Sequence, residues 1–463
     1  ADKSVEESRE RIRSALKFNN FNFPLSRITV NLSPSNIKKT GIHFDLPIAL
    51  AILTSNEQLK LTDRASKTVF IGGLSLDGEL QPVPGVLVMV DWAKSNGITE
   101  IVIPKNNLAE ASLISGVNIY ALKNFSEVME YIEAESISPS LIERKYEQEN
   151  YDEDWLQIKS QQLAKRSAVI AATGGHNLLL SGPPGAGKSL IAKGLRALLP
   201  QLTEAELIEV VKIHSISSLL KQSITINTAP PFRSPHHTAS YASIIGGGAQ
   251  AKPGEISLAH RGVLLLDELP EFSRQVLETL RQPLEDGTVN VSRMAVNSQY
   301  PCNFILVATM NPCPCGWLGS DQKECVCTIN QINLYSKRIS GPLLDRIDLC
   351  VRVNALKIAE LGVEARENNL SEIKALIIKA RERQLKRNNG KLNAHLSASE
   401  IKKLCRLDDN AQKFIEKASE KIVLTGRTYS KIIKTARTIA DLNNCQQITI
   451  KEISEALQYR FID

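Results

Sequence analysis

The stretch His176–Leu190, HNLLLSGPPGAGKSL, constrains this chain more than any other. Asn177–Ser181 is a short apolar run of strand type. Gly182-Pro183-Pro184-Gly185-Ala186-Gly187-Lys188-Ser189 matches GxxxxGK[ST] at every fixed position, and Leu190, Ile191, Leu195, Leu198 and Leu199 follow with helical spacing. Strand, glycine loop and helix are the context in which this pattern cradles phosphate. The glycines let backbone N–H groups face phosphate oxygens at a helix N-terminus that favours anions. Lys188 would reach the β- and γ-phosphates of ATP, and Ser189 would ligate Mg²⁺.

A second anchor is Gly262–Leu269, GVLLLDEL. Four apolar residues make a buried strand with Asp267-Glu268 at its C-terminal end, where parallel α/β sheets bind ligands. Asp267 would hold Mg²⁺ through water, and Glu268 would orient and polarise the attacking water. Asn303–Asn311, NFILVATMN, is another buried strand with Asn311 at its tip, placed to sense a γ-phosphate.

With 463 residues, roughly three domains are expected. Hydrophobic content of 43% and charged content of 23% are those of a globular protein. No run approaches the ~20 apolar residues of a membrane span, and no secretory leader is visible, so a cytoplasmic location is expected. A net charge of +6 permits nucleic acid as a partner without demanding it. Of eight cysteines, four crowd into Cys313-Pro-Cys315 and Cys325-Val-Cys327. In a reducing compartment such a cluster favours metal over disulfides. Two CxC pairs can give four thiolates to one tetrahedral Zn²⁺; reduced structural cysteines are the alternative.

Residues 1–135 read as an α+β domain. Ser26–Pro34 is strand-like, Lys38–Leu53 a turn into a buried helix, and Thr68–Gly85 a hairpin turning at Asp77-Gly78. A helix from Val86 and a strand, Glu100–Pro104, complete it. The order GxLxxxGxxxPVxG (Gly72–Gly85), helix, strand resembles the proteolytic domain of Lon-type proteases. On that resemblance the nucleophilic Ser position falls on or beside His43, and the Lys position falls in Val86–Met89, where no Lys occurs. The domain is therefore expected to be Lon-like and proteolytically inactive, with His43 structural. Residues 136–156 form a charged linker, expected to be an exposed connector.

Residues 157–356 form the expected ATPase core and 357–463 a helical lid. Gln157–Ala172 should lead into the first strand as a helix. Phe232–Ile256 should carry a hairpin tipped by Gly246-Gly247-Gly248, with Lys252 nearby; Asp286–Cys302 should be a second hairpin, with Arg293 near its turn. His236-His237, read as neighbours on a strand facing opposite sides, are expected to be structural or inter-subunit residues. Ser371–Arg387 is a helix whose basic face is expected to be solvated. Leu424–Leu442 holds a long helix starting near Arg427; Arg437 within it is read as structural, and Thr449 as the cap of the last helix.

RSPHHTAS, GGG, PGEISLAHRGVLLLDELPEF, LRQPLEDG, NPCPCG, SGPLLDRIDL, ARTIADL and EALQYR resemble the YifB/ComM family of magnesium-chelatase-like AAA+ proteins over essentially the whole chain. The resemblance implies an AAA+ core with an α-helical lid behind the Lon-like domain, and a homohexameric ring hydrolysing ATP between subunits. Ser160–Ala164 resembles the AAA+ segment beside adenine. Lys188, Ser189, Asp267, Glu268 and Asn311 would act in cis. Arg346, with Arg338 next in line, would serve as the arginine finger of a neighbouring site, the bland alternative being an internal pair with Asp345 or Asp348. Arg427 matches the second sensor of AAA+ lids. The two hairpins, with Lys252 and Arg293, would face the pore and track a phosphate backbone. For this family the resemblance implies a DNA helicase driving branch migration on single-stranded or branched DNA in natural transformation. A protein-remodelling motor of chelatase type is the alternative. The resemblance also implies a further N-terminal segment ahead of Ala1.

Overall fold

The computed structural model describes residues 3–32, 41–134, 137–141, 145–147, 149–217, 225–248, 251–293, 296–355, 370–421 and 425–460. Its centre is a five-stranded, wholly parallel sheet in the order β16 (Leu349–Arg352), β7 (Leu178–Ser181), β15 (Ile305–Met310), β12 (Val263–Leu266), β9 (Phe232–Arg233). Parallel sheets are covered on both faces, so their strands read as unbroken apolar runs. Alternate residues point to opposite faces. Leu178, Leu180, Val263, Leu265, Ile305 and Val307 enter one hydrophobic cluster, while Leu179, Leu264, Leu266, Leu306 and Ala308 enter another.

The C-terminal helices pack on the first face. Ile432, Ile433, Ala436 and Ile439 of the helix Gly426–Leu442 join the same cluster as Leu178 and Val351. A buried polar seam accompanies this contact. His176, just before β7, hydrogen-bonds Asp348 at 3.2 Å through Nδ1 and Thr438 at 2.8 Å through Nε2. Asn393 Nδ2 donates to Thr438 Oγ1 at 3.0 Å and to Asp441 Oδ2 at 2.8 Å. Arg387 and Arg437 also donate to Asp441. The basic face of the helix Leu370–Arg387 is therefore not simply solvated: Arg381 donates to the Ala172 carbonyl at 2.6 and 2.8 Å, and Lys374 pairs with Asp152. Arg437, buried against the Gln446 and Cys445 carbonyls, is structural as expected, and Thr449 caps Ile450–Leu457 in a capping box.

The N-terminal region has a three-stranded parallel sheet, β1 (Val69–Phe70), β4 (Glu100–Pro104), β5 (Asn118–Leu122), and the expected hairpin of β2 (Gly73–Leu74) and β3 (Leu80–Gln81). Gly78 takes φ +85° in its turn. The strand expected over Ser26–Pro34 is not formed in 26–32, where Ile28 and Val30 are exposed and no strand among the described residues partners them; 33–34 lie outside the described residues. His43 Nε2 donates to the Pro84 carbonyl at 2.9 Å, just before the helix Val86–Ser95. That helix packs on Glu204–Ile216 of the core: Val86, Leu87 and Val90 share a cluster with Leu207 and Val211, and the Gly85 N–H donates to Ser215 Oγ at 2.9 Å.

Two expectations, one for the linker and one for the start of the core, are corrected. The segment 136–156 is not merely an exposed connector: β6 (Lys145–Glu147) pairs in parallel with β8 (Thr225–Asn227), and Trp155 is 1% exposed. Trp155 packs so closely on the phosphate-loop helix Lys188–Leu198 that a Cβ on Gly194 would lie 3.4 Å from its Cα. The helix expected from Gln157 instead runs Gln162–Gly174, because Ser160 and Gln161 take φ +51° and +55° and break it.

Candidate nucleotide site and its surroundings

The phosphate loop turns between β7 and Lys188–Leu198, with Gly185 and Gly187 at φ +74° and +86°. Gly182 has no room for a side chain: a Cβ would lie 2.1 Å from the Val353 carbonyl oxygen. Lys188 Nζ folds back and donates to the carbonyls of Gly182 (2.7 Å) and Pro183 (2.9 Å) and to Asn311 Oδ1 (3.0 Å). Strand order explains the last contact: β7 and β15 are neighbours, so their C-terminal ends meet. Burial holds the Lys188 ammonium below its ordinary pKa, against the opposing pull of Asp267 and Glu268.

Ser189 Oγ donates to both carboxylate oxygens of Asp267, at 3.1 and 3.0 Å. Thr309 Oγ1 donates to Asp267 as well and accepts from the Glu268 N–H at 3.0 Å. One hydroxyl and one carboxylate, hard oxygen donors at the foot of a phosphate loop, are the set Mg²⁺ uses while it keeps waters and phosphate oxygens as its other ligands. The residues thus fit ATP with Mg²⁺. Glu268 stands beyond them at φ +55°, its side chain 59% exposed and turned to solvent. Gln161 Nε2 donates to the Asn354 carbonyl at 2.6 Å and approaches the Ala186 carbonyl at 3.4 Å, which sets the 160–164 segment against the phosphate loop.

His237, expected to be structural or inter-subunit, also lies at the edge of this site. Residues 236–237 follow β9 in a turn, not in a strand, and their rings stack with centroids 4.1 Å apart. His237 Nδ1 lies 4.0 Å from Glu268 Oε2, and the ring meets Phe272 edge-on. The available signal was position: the pair follows the strand next to Asp267-Glu268, on the ligand-binding edge of the sheet.

The arginines do not converge on this chain's own phosphate loop. Arg346 pairs with Glu285, not with Asp345 or Asp348, and donates to the carbonyls of Arg281 (2.9 Å) and Pro342 (2.7 Å). It borders an open cleft of about 410 Å³ shared with Tyr241, Arg281 and Glu278. Arg338 is bound to Glu271 at 2.9 Å. Arg427, 61% exposed, lies 3.8 Å from Asp345, the neighbour of Arg346.

Three family models match the chain: magnesium chelatase, subunit ChlI, over residues 154–361; subunit ChlI of Mg-chelatase over 1–107; and the ChlI C-terminal model over 367–460. Competence protein ComM of Haemophilus influenzae is 42% identical, covering 99% of this chain and 90% of that protein. YifB of Escherichia coli is 38% identical over the same shares. The chain belongs to the ComM/YifB family of magnesium-chelatase-like proteins. A 67 kDa magnesium-chelatase subunit of Heliobacterium mobile is 27% identical over 46% of this chain and 34% of its own length. The family is one of AAA+ ATPases, which implies ATP and Mg²⁺ as its cofactors.

Within this family member, the two expected hairpins form and pack together. β10 (Gly246–Gly247) pairs with β11 (Lys252–Pro253), so the glycines lie on its first strand and into its turn, and Lys252 is exposed. β13 (Thr288–Arg293) pairs with β14 (Val296–Pro301) in a register that sets Arg293 opposite Val296 at the turn end. Tyr300 Oη donates to the Ala251 carbonyl at 2.8 Å, and Ile245, Ala251, Val289 and Val291 share one cluster.

The four clustered cysteines meet on the loop after Asn311. All four sulfurs lie within 4.8 Å of one another. Cys313 and Cys315 are 3.4 Å apart, Cys325 is 3.6 Å from each of them, and the Cys315 N–H points at Cys327 Sγ at 3.4 Å. This group could hold a metal ion. No helix among the described residues is long and apolar enough to cross a membrane.

Proposed function

We propose that this chain is a cytoplasmic, ring-forming ATPase, a homohexamer, that moves along single-stranded or branched DNA and drives branch migration during the uptake and recombination of DNA. The observation that carries the DNA reading is the packing of the two hairpins against one another, joined by Tyr300 and Ala251, with Lys252 exposed. Lys252 and Arg293 would follow the phosphate backbone without reading bases. The 42% identity to a competence protein supports the same reading.

Asp267 and Ser189 would hold Mg²⁺, Lys188 the β- and γ-phosphates, and Asn311 the γ-phosphate end, each from a position on or next to the phosphate loop. Glu268 would polarise the attacking water. Arg346 would reach the neighbouring subunit's γ-phosphate, exchanging Glu285 for it. Arg427 would act beside it, since it lies on the Arg346 side of the molecule. The lid of 357–463, gripping the 157–356 core through the His176–Thr438 seam, would turn loss of γ-phosphate into hairpin movement. The four cysteines would hold Zn²⁺. The Lon-like region of 1–135, without a Lys in Val86–Met89, would serve assembly and not proteolysis.

The deciding experiment measures ATP hydrolysis with and without single-stranded and branched DNA, with Lys188→Ala as control. Strong stimulation that vanishes in the variant supports the DNA motor. Hydrolysis indifferent to DNA overturns it and favours a protein-remodelling motor.

A further inference from the structure

The four-cysteine loop is not a remote appendage. It begins two residues after Asn311, whose side chain accepts from Lys188. It ends at Thr328, which caps the helix Ile329–Ser336, and Tyr335 at the end of that helix is buried in the same hydrophobic cluster as Met310, the neighbour of Asn311. Between these points Gly316, at φ +84°, lies against the phosphate loop. A Cβ there would sit 2.6 and 2.8 Å from Cδ and Cγ of Pro184, and 3.8 Å from the Asn311 side chain. Farther along, Arg352 of β16 donates to the carbonyls of Leu318 (3.1 Å) and Gly319 (2.7 Å). The loop thus touches the phosphate loop and the γ-phosphate sensor, and is tied to the far strand of the sheet.

The sulfur spacing says what fixes the loop. In a tetrahedral zinc site with Zn–S near 2.3 Å, the sulfurs stand about 3.8 Å apart. The distances of 3.4 to 3.6 Å between Cys313, Cys315 and Cys325 are close to that edge and well outside disulfide bonding at about 2.05 Å. The N–H of Cys315 aimed at Cys327 Sγ stabilises a thiolate, the form that binds metal. Cys327 lies twelve positions after Cys315, and among the described residues no hydrophobic cluster includes Cys315, Cys325 or Cys327. Metal coordination would add a fixed link between the two ends of the loop to the tie that Arg352 makes at Leu318 and Gly319.

We propose that a zinc ion on Cys313, Cys315, Cys325 and Cys327 clamps the Gly316 turn onto Pro184 and Asn311, so that the nucleotide affinity of the phosphate loop depends on the metal. The proposal deepens the nucleotide-site reading and rests on it. It predicts a coupling between two sites: zinc occupancy raises ATP affinity, and bound ATP slows zinc release, because linkage is reciprocal.

The test uses the full chain. Zinc is counted by elemental analysis, then released with a mercurial and followed with a chromogenic chelator. The affinity for a fluorescent ATP analogue is measured before release, after release, and after thiol and zinc are restored. The expected result is one zinc per chain, about a tenfold loss of analogue affinity on release, and recovery on restoration. Cys325→Ser with Cys327→Ser should lose the metal and the affinity together. Gly316→Ala should keep zinc and lose affinity, because the contact with Pro184 is altered and the ligands are not. Arg352→Ala, which strains no backbone, should keep zinc with a two- to threefold loss. Substoichiometric zinc, or full affinity in the metal-free protein, overturns the proposal, as does wild-type affinity in both Gly316→Ala and Arg352→Ala. A zinc-loaded chain that binds the analogue in the coupled way yet hydrolyses nothing sinks the motor reading and supports the clamp.

Discussion

The nucleotide site and the His176–Thr438 seam lie at opposite ends of β7 and are built on opposite principles. At the seam the buried carboxylate, amide and hydroxyl all have partners: Asp441 accepts from Arg387, Arg437 and Asn393, and Thr438 binds His176 and Asn393. At the nucleotide site Lys188 borrows two backbone carbonyls, Glu268 faces solvent, and Ser189 leans on Asp267. A partnered network of this kind, tied to the central sheet through His176, favours one arrangement of the helices in 370–460. The phosphate loop keeps makeshift partners that ATP and Mg²⁺ can replace. The difference teaches where the chain keeps shape and where it keeps chemistry, and it can be broken by substitution.

The largest expected effect is on catalysis without loss of fold. Arg346→Ala should lower ATP turnover by about 10³-fold, as arginine fingers do, with little change in unfolding temperature. Mixed with Lys188→Ala, which supplies an intact Arg346, part of the turnover should return. Failure of that complementation would place Arg346 in its own subunit's chemistry. Glu268→Gln should lose on the order of 10²-fold through loss of the water-polarising carboxylate, and normal hydrolysis by that variant would remove Glu268 from the mechanism.

At the seam the effects should fall on stability. Asp441→Ala leaves Arg387 and buried Arg437 without their carboxylate and should cost about 3–5 kcal/mol in denaturant unfolding. Asp348 adds a pH signature. Burial pushes its carboxyl up, but Lys434, the His176 hydrogen bond and Lys431 outweigh that and hold it well below the usual carboxylate range. The unfolded chain therefore takes up this proton first. Stability from Asp348 is present at neutral pH and is lost as pH falls below about 4. Asp348→Asn should flatten that acid-side slope in thermal unfolding; an unchanged slope would assign it to other carboxylates.

Much of this division was legible in the residues. The phosphate loop, Asp267-Glu268 and the apolar strands announce themselves because local pattern and tertiary role coincide. The two hairpins were readable from their turn residues. Ser26–Pro34 misled because strand propensity says nothing about a missing partner strand. Trp155 was hidden inside a charged stretch whose burial depends on Gly194, far along the chain. The Leu370–Arg387 cations looked solvated because their acceptors, the Ala172 carbonyl and Asp152, come from other segments. The Glu285 partner of Arg346 was invisible for the same reason: 61 residues separate the pair.

His237 gives the finest probe, since it belongs to neither regime. It sits at the edge of the nucleotide site, held by ring stacking with His236 and edge contact with Phe272, 4.0 Å from Glu268. At that distance it makes no full hydrogen bond, so its effect should be to orient Glu268. His237→Ala should reduce turnover about three- to tenfold, roughly 1 kcal/mol, with fluorescent-ATP affinity unchanged. His237→Asn, which keeps a polar group of similar reach, should recover part of the rate. A loss of affinity instead would make His237 part of the phosphate-binding surface. A loss of folding stability would assign the stacked pair to the closed, structural class represented by the seam.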